Sequence, residues 1–96
     1  MYSLRGKVWV YPGMDGWHFV SVSKKVSLEI RNYFGGRGRG FGSIPVTVTV
    51  GSTSWKTSIF PDKKTATYLL PLKKEVRKKE GIEEGKMLLY QLVVRM

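Results

Sequence analysis

The chain has no cysteine, a single histidine and only seven acidic residues among 96. The missing cysteines exclude disulfides, thiolate nucleophiles and Cys-based zinc or iron–sulfur sites. His18 has no carboxylate close to it on its strand face, and no cluster offers the ligands that a metal ion requires. A serine nucleophile needs a base and an orienting group; Thr57-Ser58 beside Lys56 is the nearest approach to one. Asp15 and Asp62 sit in turns, where carboxylates shape the backbone, and Glu83-Glu84 belongs to an exposed loop. No catalytic residue, cofactor or metal is therefore expected. Also lacking is any apolar run near the roughly 20 residues that a spanning helix needs, and MYSLRGKVWV has no signal-peptide core. The expectation is one cytoplasmic domain that does not engage membranes.

What the sequence has in quantity is positive charge and strand pattern. Seventeen Lys and Arg give a formal net charge of +10, while 42% hydrophobic residues suffice for a modest core. Tyr2, Leu4, Val8 and Val10 alternate with Ser3, Arg5, Lys7, Trp9 and Tyr11, which predicts a first strand. A turn through Pro12, Gly13, Asp15 and Gly16 leads to a second, Trp17 to Val22. Ser23 is a candidate N-cap for a helix carrying Val26, Ile30 and Tyr33 or Phe34 on one face and ending before Gly35. Ile44, Val46, Val48 and Val50 mark the clearest strand. Gly51-Ser52 turns it into Thr53–Phe60. Pro61 to Lys64 turns again into a strand from Thr65 to about Leu70. Lys73 to Glu80 is a short basic helix stopped by Gly81. Lys86 to Arg95 is a last strand, apolar on both faces and so placed centrally.

The stretches FVSVSKKV (Phe19 to Val26) and YLLPLKKEV (Tyr68 to Val76) echo one another, each a strand running through a Lys-Lys pair into a helix. Six strands and two such units predict a mainly β fold, a small closed six-stranded barrel of the double-split type with two short helices and approximate two-fold symmetry.

Four blocks carry a family resemblance: Gly16-Trp17 with Phe19-Val20; Gly40-Phe41-Gly42-Ser43 with Pro45-Val46; Trp55-Lys56-Thr57-Ser58 with Phe60-Pro61; and Tyr68-Leu69-Leu70-Pro71 with Lys73-Lys74 and Val76-Arg77. In that order they resemble an uncharacterised prokaryotic family of small β-barrels, catalogued as a domain of unknown function and in some members fused to a bacteriocin-protection (OmpD-associated) segment. LPLKKEVRKKEGIEEGK also looks like half of a transition-state-regulator DNA-binding domain, a dimeric barrel. The resemblances imply the fold and no binding residues, since fold and function separate easily.

Several segments are candidates for binding. In GGRGRGFG, Arg37 and Arg39 stand among glycines whose amides approach an anion freely, with Phe41 available to stack; a solvated connector is the alternative. The loop matches neither a phosphate-loop nor a dinucleotide fingerprint. RGFGSIPV starts like an RNA-recognition octamer, but Ser43, Ile44 and Pro45 replace the residues that stack bases, which rejects that reading. Lys73, Lys74, Arg77, Lys78 and Lys79 on the basic helix, extended by Lys63 and Lys64, attract polyanions by counterion release, or simply solvate a helix face. Trp9 and Tyr11 share a face with Arg5 and Lys7, and Trp17, Trp55 and Phe60 are candidates for the core. Trp17, Trp55 and Lys56 are also candidates for a small-molecule pocket inside the barrel. The expected function is non-catalytic binding of an anionic partner, nucleic acid first among them. The alternative is a protein-interaction or self-assembly module, such as a homodimer.

Overall fold

The strand pattern closes on itself. The computed structural model describes residues 1–13, 16–35 and 42–95. Its elements are β1 (Tyr2–Val10), β2 (His18–Ser21), α1 (Lys24–Phe34), β3 (Ile44–Val50), β4 (Thr53–Asp62), β5 (Thr67–Pro71), α2 (Lys74–Glu80) and β6 (Met87–Val94). The strands form a closed antiparallel barrel in the order β1-β2-β5-β4-β3-β6. The six-stranded barrel with two helices is the architecture expected from the sequence.

Alternation explains what fills it. Ile44, Val46, Val48 and Val50 point inward from β3 and meet Leu88, Tyr90 and Leu92 of β6, all buried. Val8, Val20, Ile59 and Leu70 complete the interior from the other strands, and each fully buried aliphatic side chain contributes about 1.5–3 kcal/mol. Gly6 is the one inward position of β1 without a side chain. A Cβ there would overlap the Val20 side chain and crowd the Ser21 carbonyl, so glycine is what lets β1 pass this close to β2. At α1 the Ser23 hydroxyl accepts from the Val26 amide at 3.3 Å, and Phe34 rather than Tyr33 packs inward beside Ile30. At α2 Val76 is buried and Gly81 ends the helix in the left-handed conformation. No described helix is long and apolar enough to cross a membrane.

Three boundaries differ from the expected ones. β4 continues through Asp62, so the turn falls on residues 63–66 and β5 starts at Thr67. The Asp62 carboxylate holds this turn, accepting from the Lys64 amide and the Thr65 hydroxyl. Lys73 is the N-cap of α2, not its first residue. β6 is flanked by β1 and β3, but only one of its faces is buried: Met87, Leu89 and Val93 are exposed on the outside.

The barrel has an internal two-fold relation that exchanges β1 with β4, β2 with β5 and β3 with β6, because the strand order is unchanged by that exchange. Its centre lies where β2 crosses β5, with Val20 opposite Leu70. Two hydrogen bonds repeat across it, Val22 N to Tyr68 O at 2.8 Å and Leu72 N to His18 O at 2.9 Å. Equivalent positions here are fifty residues apart, 18 with 68 and 22 with 72. Even the backbone outlier repeats: Gly16 has φ 80° and its twin Ala66 has φ 58°. The Lys-Lys pairs of the sequence echo are therefore one residue out of step, with Lys24 equivalent to Lys74.

Candidate functional site

The two-fold relation generates a pair of clefts, each beside the start of a helix. One lies along α1 and is bordered by Lys24, Ser27, Arg31, Lys63 and Tyr68. Its twin lies along α2, has a volume of about 340 Å³ and is bordered by Trp17, His18, Trp55, Lys56, Lys73, Lys74 and Arg77. A third depression crosses the outer face of β1, β6 and β3, with Arg5 the only cation among the described residues that line it.

The α2 cleft concentrates the chemistry. Its floor is apolar: Trp55 and Leu72 are buried, and Pro71 is half-buried beside them. Lys56, Lys73 and Lys74 are exposed on its rim, and no described carboxylate lines it. The ion pair seen among the described residues is elsewhere, Lys86 with Glu83 at 3.5 Å, so the rim lysines carry uncompensated charge. Arg77 is held in place from two sides. Its Nε donates to the Leu72 carbonyl at 3.0 Å and its Nη2 to the Gly16 carbonyl at 3.4 Å. A guanidinium fixed in this way loses little rotamer freedom when it meets an anion.

The lip of the cleft is aromatic. Trp17 is 52% exposed and stacks one face on Phe19, with ring centroids 6.1 Å apart and planes at 29°. Phe19 points outward from β2, yet it is buried because Trp9, Tyr11 and Trp17 surround it. Trp9 is anchored by its indole N–H, which donates to the Ser21 hydroxyl at 3.1 Å. His18 is oriented too: Nδ1 lies 2.9 Å from the Gly16 carbonyl. A carbonyl only accepts, so the proton sits on Nδ1 and Nε2 is the nitrogen left for a ligand.

The residues singled out in the sequence are redistributed by the fold. Trp17, Trp55 and Lys56 do meet, but not inside the barrel. The interior is filled by buried side chains, while exposed Trp17 and Lys56 place the pocket on the outer surface. Trp55 is a core residue, and Phe60, with Tyr11 and Trp17, is substantially exposed. The basic segments do not converge on one cleft. Lys73, Lys74 and Arg77 border the α2 cleft; Lys63 borders the α1 cleft with Lys24 and Arg31; Lys64 is exposed in its turn. Lys78 and Lys79 are exposed on α2 and line neither cleft. Arg37, Arg39 and Phe41 lie outside the described residues. Among the described residues no three His, Asp or Glu side chains gather to hold a metal ion. Sequence reasoning set His18 aside as a failed catalytic group and missed its place at the cleft, along with the fixed guanidinium of Arg77. Aligning the two echoes on their helix caps would have shown Arg77 where the first unit has Ser27.

The family described as "Domain of unknown function (DUF1905)" matches residues 5–92. The chain belongs to that family. No curated protein matches the chain. DUF1905 membership accounts for nearly the whole chain and leaves the role of the cleft to be argued from its chemistry.

Proposed function

We propose that this DUF1905 protein is a single-domain, non-catalytic binding module for an anionic partner, with nucleic acid first among such partners, and that the α2 cleft is its contact site. The observation that carries the reading is the rim of Lys56, Lys73, Lys74 and Arg77 with no described carboxylate beside it. Four cations grouped around an apolar floor attract phosphate or carboxylate groups more strongly than the same charges scattered over the surface. The net charge of +10 adds long-range attraction, to which Lys78 and Lys79 contribute. Catalysis has no support in residue chemistry, since no described carboxylate lines the cleft to work with His18 as an acid–base pair.

The test is fluorescence anisotropy with short single- and double-stranded DNA and RNA probes at about 50 mM salt, where phosphate contacts are strongest. Salt-sensitive binding is expected. Absence of binding to every probe sinks the reading.

A second reading, a self-assembly or protein-interaction module, is favoured by one observation. Met87, Leu89 and Val93 form an exposed apolar row on the outer side of β6, and rows of this kind mark contact surfaces. Sedimentation equilibrium decides it: a concentration-dependent dimer that Leu89→Lys abolishes supports self-assembly, and a monomer throughout removes it.

A further inference from the structure

The two-fold relation supplies an internal control for the α2 cleft, because the same structural tasks are performed twice with different residues. In the α1 half, the last carbonyl before the helix, Val22 O, receives its hydrogen bond from Ser27, 3.1 Å away. In the α2 half the equivalent carbonyl, Leu72 O, receives it from Arg77. A buried serine hydroxyl suffices for the fold, so the rest of the guanidinium is surplus to it. The same holds for Trp17. Its twin Thr67 is 8% exposed and bonded to Thr65, whereas Trp17 carries an indole that is 52% exposed. One half has kept small side chains at both positions. The other carries an aromatic plane and a fixed cation, side by side, at the mouth of one cleft.

We infer that the α2 cleft seats one nucleotide unit, its base stacked on the open face of Trp17 and its phosphate held by Arg77, Lys73 and Lys74. This rests on the anion-binding reading and narrows it. A bare anion would use the cations and leave Trp17 idle. A planar group would use Trp17 and leave three cations idle. A nucleoside phosphate uses both, and pockets that take small organic ligands have about 300–1,000 Å³, a range that includes this cleft. Trp17 is pre-organised for stacking, since Phe19 already holds its other face. An unpaired base is required, because the bases of a duplex are stacked on each other and cannot lie on an indole. The ligand is thus a free nucleotide or a nucleotide of a single strand, not a duplex.

The experiment titrates the full chain with adenosine monophosphate, inorganic phosphate, a short oligothymidylate and a duplex of the same length. Intrinsic tryptophan fluorescence and anisotropy are read together. Trp17 is the most exposed of the three tryptophans, so stacking is expected to quench emission. Quenching by the monophosphate identifies a free nucleotide as a ligand, and quenching by the oligothymidylate alone identifies a strand. Inorganic phosphate and the duplex are expected not to quench. Trp17→Thr and Arg77→Ser place the twin's own residues, and an unchanged circular-dichroism spectrum checks that each variant is folded. Trp17→Thr is expected to weaken binding about tenfold, the scale of one lost stacking contact, and Arg77→Ser to weaken it as well. Lys73→Gln with Lys74→Gln, both on exposed side chains, is expected to weaken it without changing the melting temperature. If Trp17→Thr binds the oligothymidylate as tightly as the unmodified chain, the nucleotide seat is wrong although the anion reading stands. If nothing binds, both fail.

Discussion

Tyr90 puts the account of the barrel interior to a quantitative test. Its ring points inward from β6 and is 3% exposed, and its hydroxyl has no hydrogen-bond partner among the described residues. Leaving a polar group buried and unpaired costs about 1–3 kcal/mol. Tyr90→Phe removes that group and keeps the ring that fills the space, so it is predicted to raise stability by about 1 kcal/mol, the lower end of that range. For a domain of this size the melting temperature should rise by roughly 4–8 °C. Urea denaturation followed by circular dichroism measures it, with the midpoint shifted upward and the slope unchanged. An alkaline titration adds an independent check. Burial pushes the Tyr90 hydroxyl well above the ordinary tyrosine value of 10.0. Above that value the unfolded chain releases this proton while the folded chain keeps it. Stability from Tyr90 is therefore fully present below about pH 10 and is lost as pH rises further. Tyr90→Phe should flatten that alkaline decline. A lower urea midpoint for Tyr90→Phe would refute the reasoning, because it would mean that the hydroxyl is paired in the folded state.

Two backbone substitutions test the close approach of strands and the two-fold relation. Gly6→Ala sets a Cβ against the fully buried Val20 and should cost about 1–3 kcal/mol by overpacking, measured by urea denaturation; an unchanged midpoint would show that β1 and β2 are farther apart. Ala66→Gly relieves a positive φ that an alanine adopts at a cost of roughly 1–2 kcal/mol. It should therefore leave stability unchanged or slightly raised, where an ordinary Ala→Gly lowers it. A loss of about 1 kcal/mol would deny the likeness to Gly16.

Much of the architecture was legible because alternation is a direct consequence of strand geometry. Ile44 to Val50 could only be a strand with one buried face, and Ser23 bounded α1 through its side-chain cap, while Gly35 follows the helix in a right-handed conformation that any residue adopts. The echo of two strand–helix units announced the two-fold relation, but matching like residues misplaced it by one position. The hydrogen bonds of Val22 and Leu72, not the lysines, define equivalence. β6 looked buried on both faces because Met87, Leu89 and Val93 are apolar, and hydrophobicity alone does not distinguish a covered face from an exposed one. The cleft was half legible. Trp17, Trp55 and Lys56 border one cleft, yet whether a side chain at a strand end faces the interior or the rim depends on how the barrel closes. The contributions of His18 and Arg77 meet at the Gly16 carbonyl, which His18 reaches from the next turn of chain and Arg77 from far along the sequence.

The central claim is that charge acts through the α2 cleft rather than through the surface as a whole. Two variants with the same net charge separate these: Lys56, Lys73 and Lys74 changed to Gln, and Lys25, Lys78 and Lys79 changed to Gln. All six lysines are exposed, and only the first three border the cleft. Affinity for a single-stranded oligonucleotide is measured against salt concentration. Each phosphate contact contributes about 0.7 to the slope of log affinity on log salt for single strands, so the cleft variant, which loses the phosphate seat, should lose at least about 0.7 from its slope and the other variant much less. Equal losses in the two variants would contradict the account.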